Sequence, residues 1–512
     1  MTQNTAPSDT GDGQISHPGS QPRSSIGSFH RDSGGIAYYS LIAWAFLLAN
    51  LLLALTAPII PYDSWGYHLP FSSYLFSIGD GQAAFHMDAP LNERWLGFPK
   101  AWEWVEGLMW ACTGSLRSTI VPQTILCVTY FLYLGRVHAV PFSWLILGFF
   151  TSPLLLIHFQ SIYLDLPAAI CAALGFFLLL ELFVAARTPA GAFSWRTAAG
   201  AVAALGLTGN IRYQGFLSVV CIISVIAVSG IAIKGITRGF RFSILAVIVT
   251  AGILASGTLA TNLVRFNNPF YPIAVAVHGT TIFAGPESAD NDVSYPTYLL
   301  AGSRRVSLPE PINFILSLTE LDWTLRGVAP WYNIDSVSGR TPRRGDPSRT
   351  GGLGVLFVLM NGFLLLFQTV NIRRELDPQQ RLLVTSTVLL VAFTIFLPRA
   401  HELRYWLYLP LIVLPVNIRY LFRMHFHPAV PAALVAMMLF GVSLAVLSPK
   451  SDLLSPRTFS MAELRAEVPP AIVQALHDTG RYCDPTRDDL FRYSQAVTGL
   501  RGLISRMDAD CR

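Results

Sequence analysis

Charge is what this sequence has least of. Asp, Glu, Lys and Arg make up 13% of 512 residues, 52% are hydrophobic, and mean hydropathy is +0.46. Soluble domains carry roughly a quarter charged residues, so the balance belongs to a polytopic membrane protein. Lysine is scarcest, confined to Lys100, Lys234 and Lys450. The net charge of +5 rests on arginines scattered through short loops. No basic face with interleaved aromatics is present, which excludes a nucleic-acid partner. Cysteines number six. Cys127, Cys171 and Cys221 fall in apolar runs and read as packing. Cys483 and Cys511 sit in a polar C-terminal tail, where an oxidising compartment would let them pair. None has the spacing of a metal-ligand set. Also missing are a Gly-rich phosphate loop, a nucleophile elbow and a zinc-binding helix motif, which removes ATP-driven transport. No internal repeat of the kind that marks many transporters occurs.

What is present is a succession of apolar runs near the length that crosses a bilayer, about 20 residues. They fall at 37–59, 120–134, 142–158, 164–186, 198–209, 215–233, 242–264, 352–370, 382–397, 407–416 and 429–447. The pattern predicts an all-α polytopic membrane protein of about eleven transmembrane helices. The pair flanking Asn210-Ile211-Arg212-Tyr213-Gln214 reads as two spans or as one broken helix. Basic linkers decide the count. Arg23 and Arg31, Arg136, Arg187 and Arg196, Lys234, Arg238 and Arg241, Arg373, Arg374 and Arg381, and Arg419 and Arg423 all reach the cytoplasm only with eleven spans.

Three regions follow. Residues 1–35 are rich in Ser, Gly, Pro and Asp and lack the basic start and cleavage box of a signal peptide. They are expected to be a disordered cytoplasmic N-terminus. Residues 36–447 form the transmembrane domain, with outer loops at 61–117 and 265–351. Residues 448–512 form an extracytoplasmic tail. In the first outer loop, Trp95, Trp102, Trp104 and Trp110 accompany Pro99, which suits a helix's first turn. Pro99–Trp110 is therefore expected to lie along the membrane interface. Arginine-rich, lysine-poor usage points to a GC-rich bacterial genome, and so to a bacterial inner membrane.

The candidate site residues cluster at outer ends of spans. Directly after the first run comes Pro61-Tyr62-Asp63-Ser64-Trp65-Gly66-Tyr67-His68-Leu69-Pro70. A charge at membrane depth is costly and is retained where it faces a cavity. Asp63 is thus the leading general base or acceptor-orienting carboxylate; the bland alternative is a carboxylate bound to a local backbone N–H. Tyr67 and His68 line the same pocket or anchor the interface. Asp165, in Ser161-Ile162-Tyr163-Leu164-Asp165-Leu166-Pro167, offsets a helix dipole at the depth of Asp63. Arg212 and the group Arg399, His401, Glu402 and Arg404 place arginines in short outer loops, where the charge rule disfavours them. Guanidinium forks suit phosphate oxygens, and snorkelling to lipid headgroups is the alternative. Glu93 and Lys100 follow on the same logic. Asp290-Asn291-Asp292 and Asp508-Ala509-Asp510 are weak metal signals, because such spacings arise by chance. No cofactor is expected, and a divalent metal is left open without support from the sequence.

Taken in order, these motifs resemble those of GT-C type glycosyltransferases. These integral membrane enzymes use polyprenyl-phosphate sugars, as do protein O-mannosyltransferases and the aminoarabinose transferases of lipid A. The resemblance rests on Asp63-Ser64-Trp65-Gly66-Tyr67-His68-Leu69-Pro70, Phe98-Pro99-Lys100-Ala101-Trp102-Glu103, Tyr163-Leu164-Asp165-Leu166-Pro167 and Arg212-Tyr213-Gln214-Gly215. Asn268-Pro269-Phe270-Tyr271-Pro272 and Glu402-Leu403-Arg404-Tyr405 complete it, over roughly Tyr38–Leu447. It implies that Asp63 is the catalytic carboxylate, although Ser64 stands where relatives often carry a second acid. It further implies that Arg212, Arg404 and Arg399 hold the donor phosphate. Tyr67, His68, Glu93, Lys100, Asp165, Tyr213, His401 and Glu402 would then line the pocket. The implied reaction is direct displacement at the anomeric carbon, with a glycan, lipid or protein acceptor. The competing readings are a lipid-linked sugar flippase or carrier, and a scaffold subunit of a polysaccharide assembly complex. A flippase needs polar groups deep in several spans, whereas here they gather at outer ends, with Glu181 near an inner end.

Overall fold

A computed structural model describes residues 33–56, 67–78, 89–186, 193–231, 237–277, 280–288, 309–319, 353–372, 376–397, 399–423, 433–434, 436–438 and 440. Asp63, both Asp-x-Asp patterns, Cys483, Cys511 and the C-terminal tail lie outside the described residues, as does most of the eleventh apolar run.

The chain opens with α1 (Ser33–Thr56), which carries no charged residue. Short helices α2 (Leu69–Leu75), α3 (Ala89–Gly97) and α4 (Ala101–Thr113) build the first loop. Pro99 precedes the cap residue Lys100, so α4 starts two residues later than its proline implied. The helix stops at Gly114, whose φ of 67° lets its N–H return to the Trp110 carbonyl. A 3-10 turn, Leu116–Ile120, then leads into α5 (Val121–His138).

The expected single span at 142–158 is two helices, α6 (Phe142–Phe150) and α7 (Pro153–Gln160), bent by 99°. The cause is Pro153. It lacks an N–H and pushes Ser152 into the extended conformation observed there (φ −92°, ψ 117°). At the other end of α7, where the helix stops at Gln160, the freed carbonyls find a donor in Gln123, whose Nε2 lies 2.7 Å from His158 O and 3.3 Å from Phe159 O and Ser161 O. In an apolar surround such compensation is required, because no water replaces a lost backbone bond.

α8 (Asp165–Ala185) is the axis of the bundle, almost wholly buried among α5, α9 (Trp195–Ile211), α10 (Tyr213–Ile231) and α16 (Tyr408–Arg423). α9 and α10 are separate helices. Arg212 between them is extended (φ −150°, ψ 153°), and the chain reverses so tightly that a side chain at Gly215 would overlap the Thr208 carbonyl. Next come α11 (Arg238–Ala255) and α12 (Gly257–Phe266), then strands β1 (Ile273–Val277), β2 (Thr280–Phe283) and β3 (Glu287–Ser288). The sheet runs β2-β1-β3, with β1 antiparallel to β2 and parallel to β3. It is a small exception to the all-α expectation. Helices α13 (Glu310–Thr319), α14 (Val355–Val370) and α15 (Pro378–Ile395), and a 3-10 turn at Leu403–Trp406, precede α16. Pro415 inside α16 strands the Leu411 carbonyl, and the Tyr130 hydroxyl donates to it at 2.7 Å.

By length and composition, Arg117–His138, Asp165–Ala185 and Arg238–Ala255 can each cross a membrane, and the bent α6–α7 pair makes a fourth candidate. Tyr39–Leu55, Tyr213–Ser229 and Leu356–Val370 are shorter apolar helices. Exposed apolar side chains at helical spacing mark lipid-suited faces on α1 (Leu41, Trp44, Leu48, Leu52) and α14 (Leu359, Phe363, Leu366, Val370). Deep in the bundle, Asn417 joins Asn361 at 2.9 Å and Gln368 at 2.7 Å, and Gln368 accepts from Gln380 at 2.8 Å. These amides pair with one another and act as glue between α14, α15 and α16.

Close helix approach yields the first prediction. A methyl at Gly209 would overlap the Ala255 carbonyl where α9 meets α11, whereas a methyl at Gly252 meets nothing within 4 Å. Gly209→Ala should lower the thermal unfolding midpoint in detergent, at about 1–3 kcal/mol for an overpacked core. Gly252→Ala should leave it unchanged or raise it by about 0.5–1 kcal/mol. Equal effects would mean that α9 and α11 are not in backbone contact.

Candidate functional site

The charged centre of the molecule is the carboxylate of Asp165, the first residue of α8, 3% exposed. A lone buried carboxylate is strongly disfavoured unless paired. Its counter-ion is Arg212, delivered by the extended link between α9 and α10 and ion-paired to Oδ1. On the other side, His158 Nε2 stands 3.8 Å from Oδ2. His158 Nδ1 lies 2.8 Å from the Leu154 carbonyl, so Nδ1 carries the hydrogen and Nε2 faces the carboxylate.

Above this pair is an aromatic shelf. Arg212 places its guanidinium carbon 4.7 Å from the centre of the Tyr405 ring, and Arg404 places its own 4.9 Å from the same ring. Arg404 also lies 5.9 Å from the ring of Tyr163, which stacks on His158 at 5.1 Å. Guanidinium–ring contacts contribute about 0.5–2 kcal/mol each and here hold two like charges on one tyrosine. Glu402 partly offsets them, with its carboxylate 3.6 Å from both Arg404 Nη2 and Arg399 Nη1. Arg212, Arg399 and Arg404 against Asp165 and Glu402 leave one positive charge in excess. Beside the Asp165–Arg212 pair opens a narrow crevice, lined by Asp165, Thr208, Arg212, Gln214, Tyr405 and Tyr408 among others. Arg212 lines the crevice and Arg404 shares its Tyr405 wall, and guanidinium forks suit phosphate oxygens.

The first loop forms a second assembly beside the first. Tyr67 and Phe71 are buried against Trp95 and Phe98, with the Arg94 guanidinium 5.3 Å from the Tyr67 ring. His68 Nδ1 and Glu103 Oε1 are 2.7 Å apart and fully enclosed. Burial, reinforced by nearby Glu103, holds the Glu106 carboxyl well above the ordinary carboxylate range. Lys100 donates to the Phe98 carbonyl at 2.8 Å. Burial pushes its amine down to about 8, with Glu103 opposing and Arg265 adding to the shift. Glu93 accepts from the Tyr271 hydroxyl, and Arg94 pairs with Glu287 of β3 at 2.7 Å.

The structure thus sorts the residues singled out from sequence. Asp165 and Arg212 line one crevice, Arg404 shares the Tyr405 ring on its wall, and Glu402 links Arg404 to Arg399. Tyr67, His68, Glu93, Lys100 and Tyr213 instead engage the loops; the Tyr213 hydroxyl lies 2.5 Å from the Gly97 carbonyl. His401 is 9% exposed in the turn before Leu403–Trp406. Asp63 lies outside the described residues. His158, Tyr163, Tyr405 and Tyr408 were not singled out, although Tyr163 and Tyr405 stand inside the quoted motifs beside the residues they serve. Among the described residues no group of three His, Cys, Asp or Glu side chains is arranged to hold a metal ion.

No protein-family model matches the chain, and no curated protein matches it. Among solved structures it is similar to ArnT from Cupriavidus metallidurans in the apo state, at a TM-score of 0.48 and 11% identity over 93% of this chain and 71% of that one. It is also similar to the same protein bound to undecaprenyl phosphate, at a TM-score of 0.41 and 13% identity over the same shares. Likeness below a TM-score of 0.5 leaves function to this chain's own residues.

The carboxylates of α4 make a paired prediction. Glu106→Gln replaces a carboxyl that is already neutral and should change stability little. Glu103→Gln removes the carboxylate that His68 meets at 2.7 Å and should cost more, about 1–3 kcal/mol for a buried polar partner left unsatisfied. The folded chain keeps a proton on Glu106 that the unfolded chain releases. Wild-type stability should therefore fall as pH rises above the ordinary carboxylate range, and Glu106→Gln should flatten that slope. Thermal unfolding across pH reads both effects, and a larger loss from Glu106→Gln than from Glu103→Gln would refute the assignment.

Proposed function

We propose that the protein is a membrane glycosyltransferase. It moves a sugar from a polyprenyl-phosphate donor to an acceptor hydroxyl or amine on the extracytoplasmic face of a bacterial inner membrane. The observation that carries this reading is the convergence of Arg212 and Arg404 on Tyr405, 4.7 and 4.9 Å from one ring, beside a crevice that Arg212 and Tyr405 both line. The ordered motifs of the sequence support it independently.

The reaction is a displacement. The acceptor heteroatom attacks the anomeric carbon and forms the new glycosidic bond, while the bond from that carbon to the phosphate oxygen breaks. Its electron pair leaves with the phosphate. Asp63 takes or orients the acceptor proton. Charge builds on a weakly basic leaving group, so Arg212 and Arg404 contribute more by stabilising that charge than any general acid would. Arg399 acts through Glu402, which spaces it from Arg404.

The test has two arms, in protein purified gently with its lipid. Asp63→Asn should lower turnover by about 10²–10⁴-fold while the protein stays folded. Arg404→Ala should lose co-purified polyprenyl-phosphate lipid in native mass spectrometry, and the mass of the wild-type ligand names the sugar class. Normal turnover in folded Asp63→Asn removes the catalytic assignment. Lipid retained without any turnover in the wild type favours a carrier or flippase. Bulk phospholipid alone in both samples favours a scaffold.

A further inference from the structure

Arg212 and Tyr213 are neighbours with opposite duties. The backbone at Arg212 is extended, so successive side chains leave on opposite sides. Arg212 reaches Asp165 and the crevice, while Tyr213 reaches the loops. The Tyr213 phenol is buried and meets three groups. Its oxygen lies 2.5 Å from the Gly97 carbonyl of the first loop and hydrogen-bonds the Tyr271 carbonyl of the second. Asn262 of α12 donates to it at 2.8 Å, and to the Gly97 carbonyl at 2.9 Å. A phenol has one hydrogen, so the two carbonyls share it while Asn262 occupies its acceptor side. The loops touch backbone to backbone here, since a side chain at Gly97 would overlap the Tyr271 carbonyl. Phe98 and Phe270 pack edge-on to the Tyr213 ring, at 5.6 and 6.3 Å. The Tyr271 hydroxyl extends the junction to Glu93 of α3.

We propose that Tyr213 is a positioning residue that couples closure of the two loops to the placement of Arg212, and that it does not itself contact the substrate. Only Arg212 separates α9 from α10, so the junction cannot open without moving the start of α10 and the guanidinium beside it. With the loops closed on each other, Arg212 is held over Tyr405. When they part to admit a long lipid from the side, Arg212 is released. The proposal rests on the reading of Arg212 as a donor-phosphate ligand, and its test separates the two.

Full-length protein in nanodiscs is compared with Tyr213→Phe by hydrogen exchange and by titration with undecaprenyl phosphate. Exchange should quicken together at 94–100, 268–273 and the turn at 209–216. Asn262→Ala, which removes the donor and spares the ring, should move the same three segments. Affinity for undecaprenyl phosphate should fall about tenfold in Tyr213→Phe, the scale of one buried hydrogen bond. In an Arg212→Ala background, Tyr213→Phe should have no further effect on that affinity, which a merely structural role would not predict. Loops that loosen while 209–216 is unchanged would overturn the coupling, as would an equal affinity loss with and without Arg212. If the wild type binds no undecaprenyl phosphate, the donor-site reading fails, and the exchange pattern alone still decides the coupling.

Discussion

The burial of one carboxylate organises this molecule. Asp165 sits at the start of the most enclosed helix, where an unpaired charge would be strongly disfavoured. Arg212 resolves that cost, and to do so the chain must reverse within one residue between α9 and α10. The reversal brings Thr208, Gln214 and Ser218 to the crevice, whose wall also holds Tyr405 and Tyr408. A buried ion pair is weak evidence for stability, because apolar replacements often do as well. Its retention here, with a surplus of positive charge around it, fits a site that must meet an anion.

The same accounting of polar groups explains the irregular parts of the bundle. α7 stops at Gln160 and Pro415 interrupts α16, and in each case a side chain from α5 satisfies the freed carbonyls: Gln123 for the first, Tyr130 for the second. In apolar surroundings these repairs are obligatory. α5 therefore acts as a brace for α7 and α16, the elements that carry His158 and follow Arg404. The geometry of the arginine shelf depends on a helix that contributes no residue to it.

Much of this was readable in advance, for physical reasons that differ by element. α8 and α11 announce themselves through long apolar runs, and the charge rule separated α9 from α10 because a merged helix would misplace Lys234, Arg238 and Arg241. The arginine cluster was legible because charge is so rare here that each arginine in a short loop stands out. Hydropathy cannot see a 99° bend, so 142–158 read as one span although Pro153 lies within it. Residues 265–351 read as loop, and the short pairing of β1 with β2 and β3 is too brief for alternation to show. Tyr213 read as a pocket residue because its neighbour is one. Its burial against Gly97 and Tyr271, residues far away in sequence, is a fact of tertiary structure alone.

The central claim is that Arg212 and Arg404 hold a lipid phosphate over Tyr405. A cryo-EM structure of the protein in nanodiscs with undecaprenyl phosphate tests it directly. The account predicts phosphate density in hydrogen-bond contact with both guanidiniums, at about 2.7–2.9 Å, beside the Tyr405 ring. Phosphate bound elsewhere, with Arg212 still committed to Asp165 and Arg404 to Glu402, would contradict it.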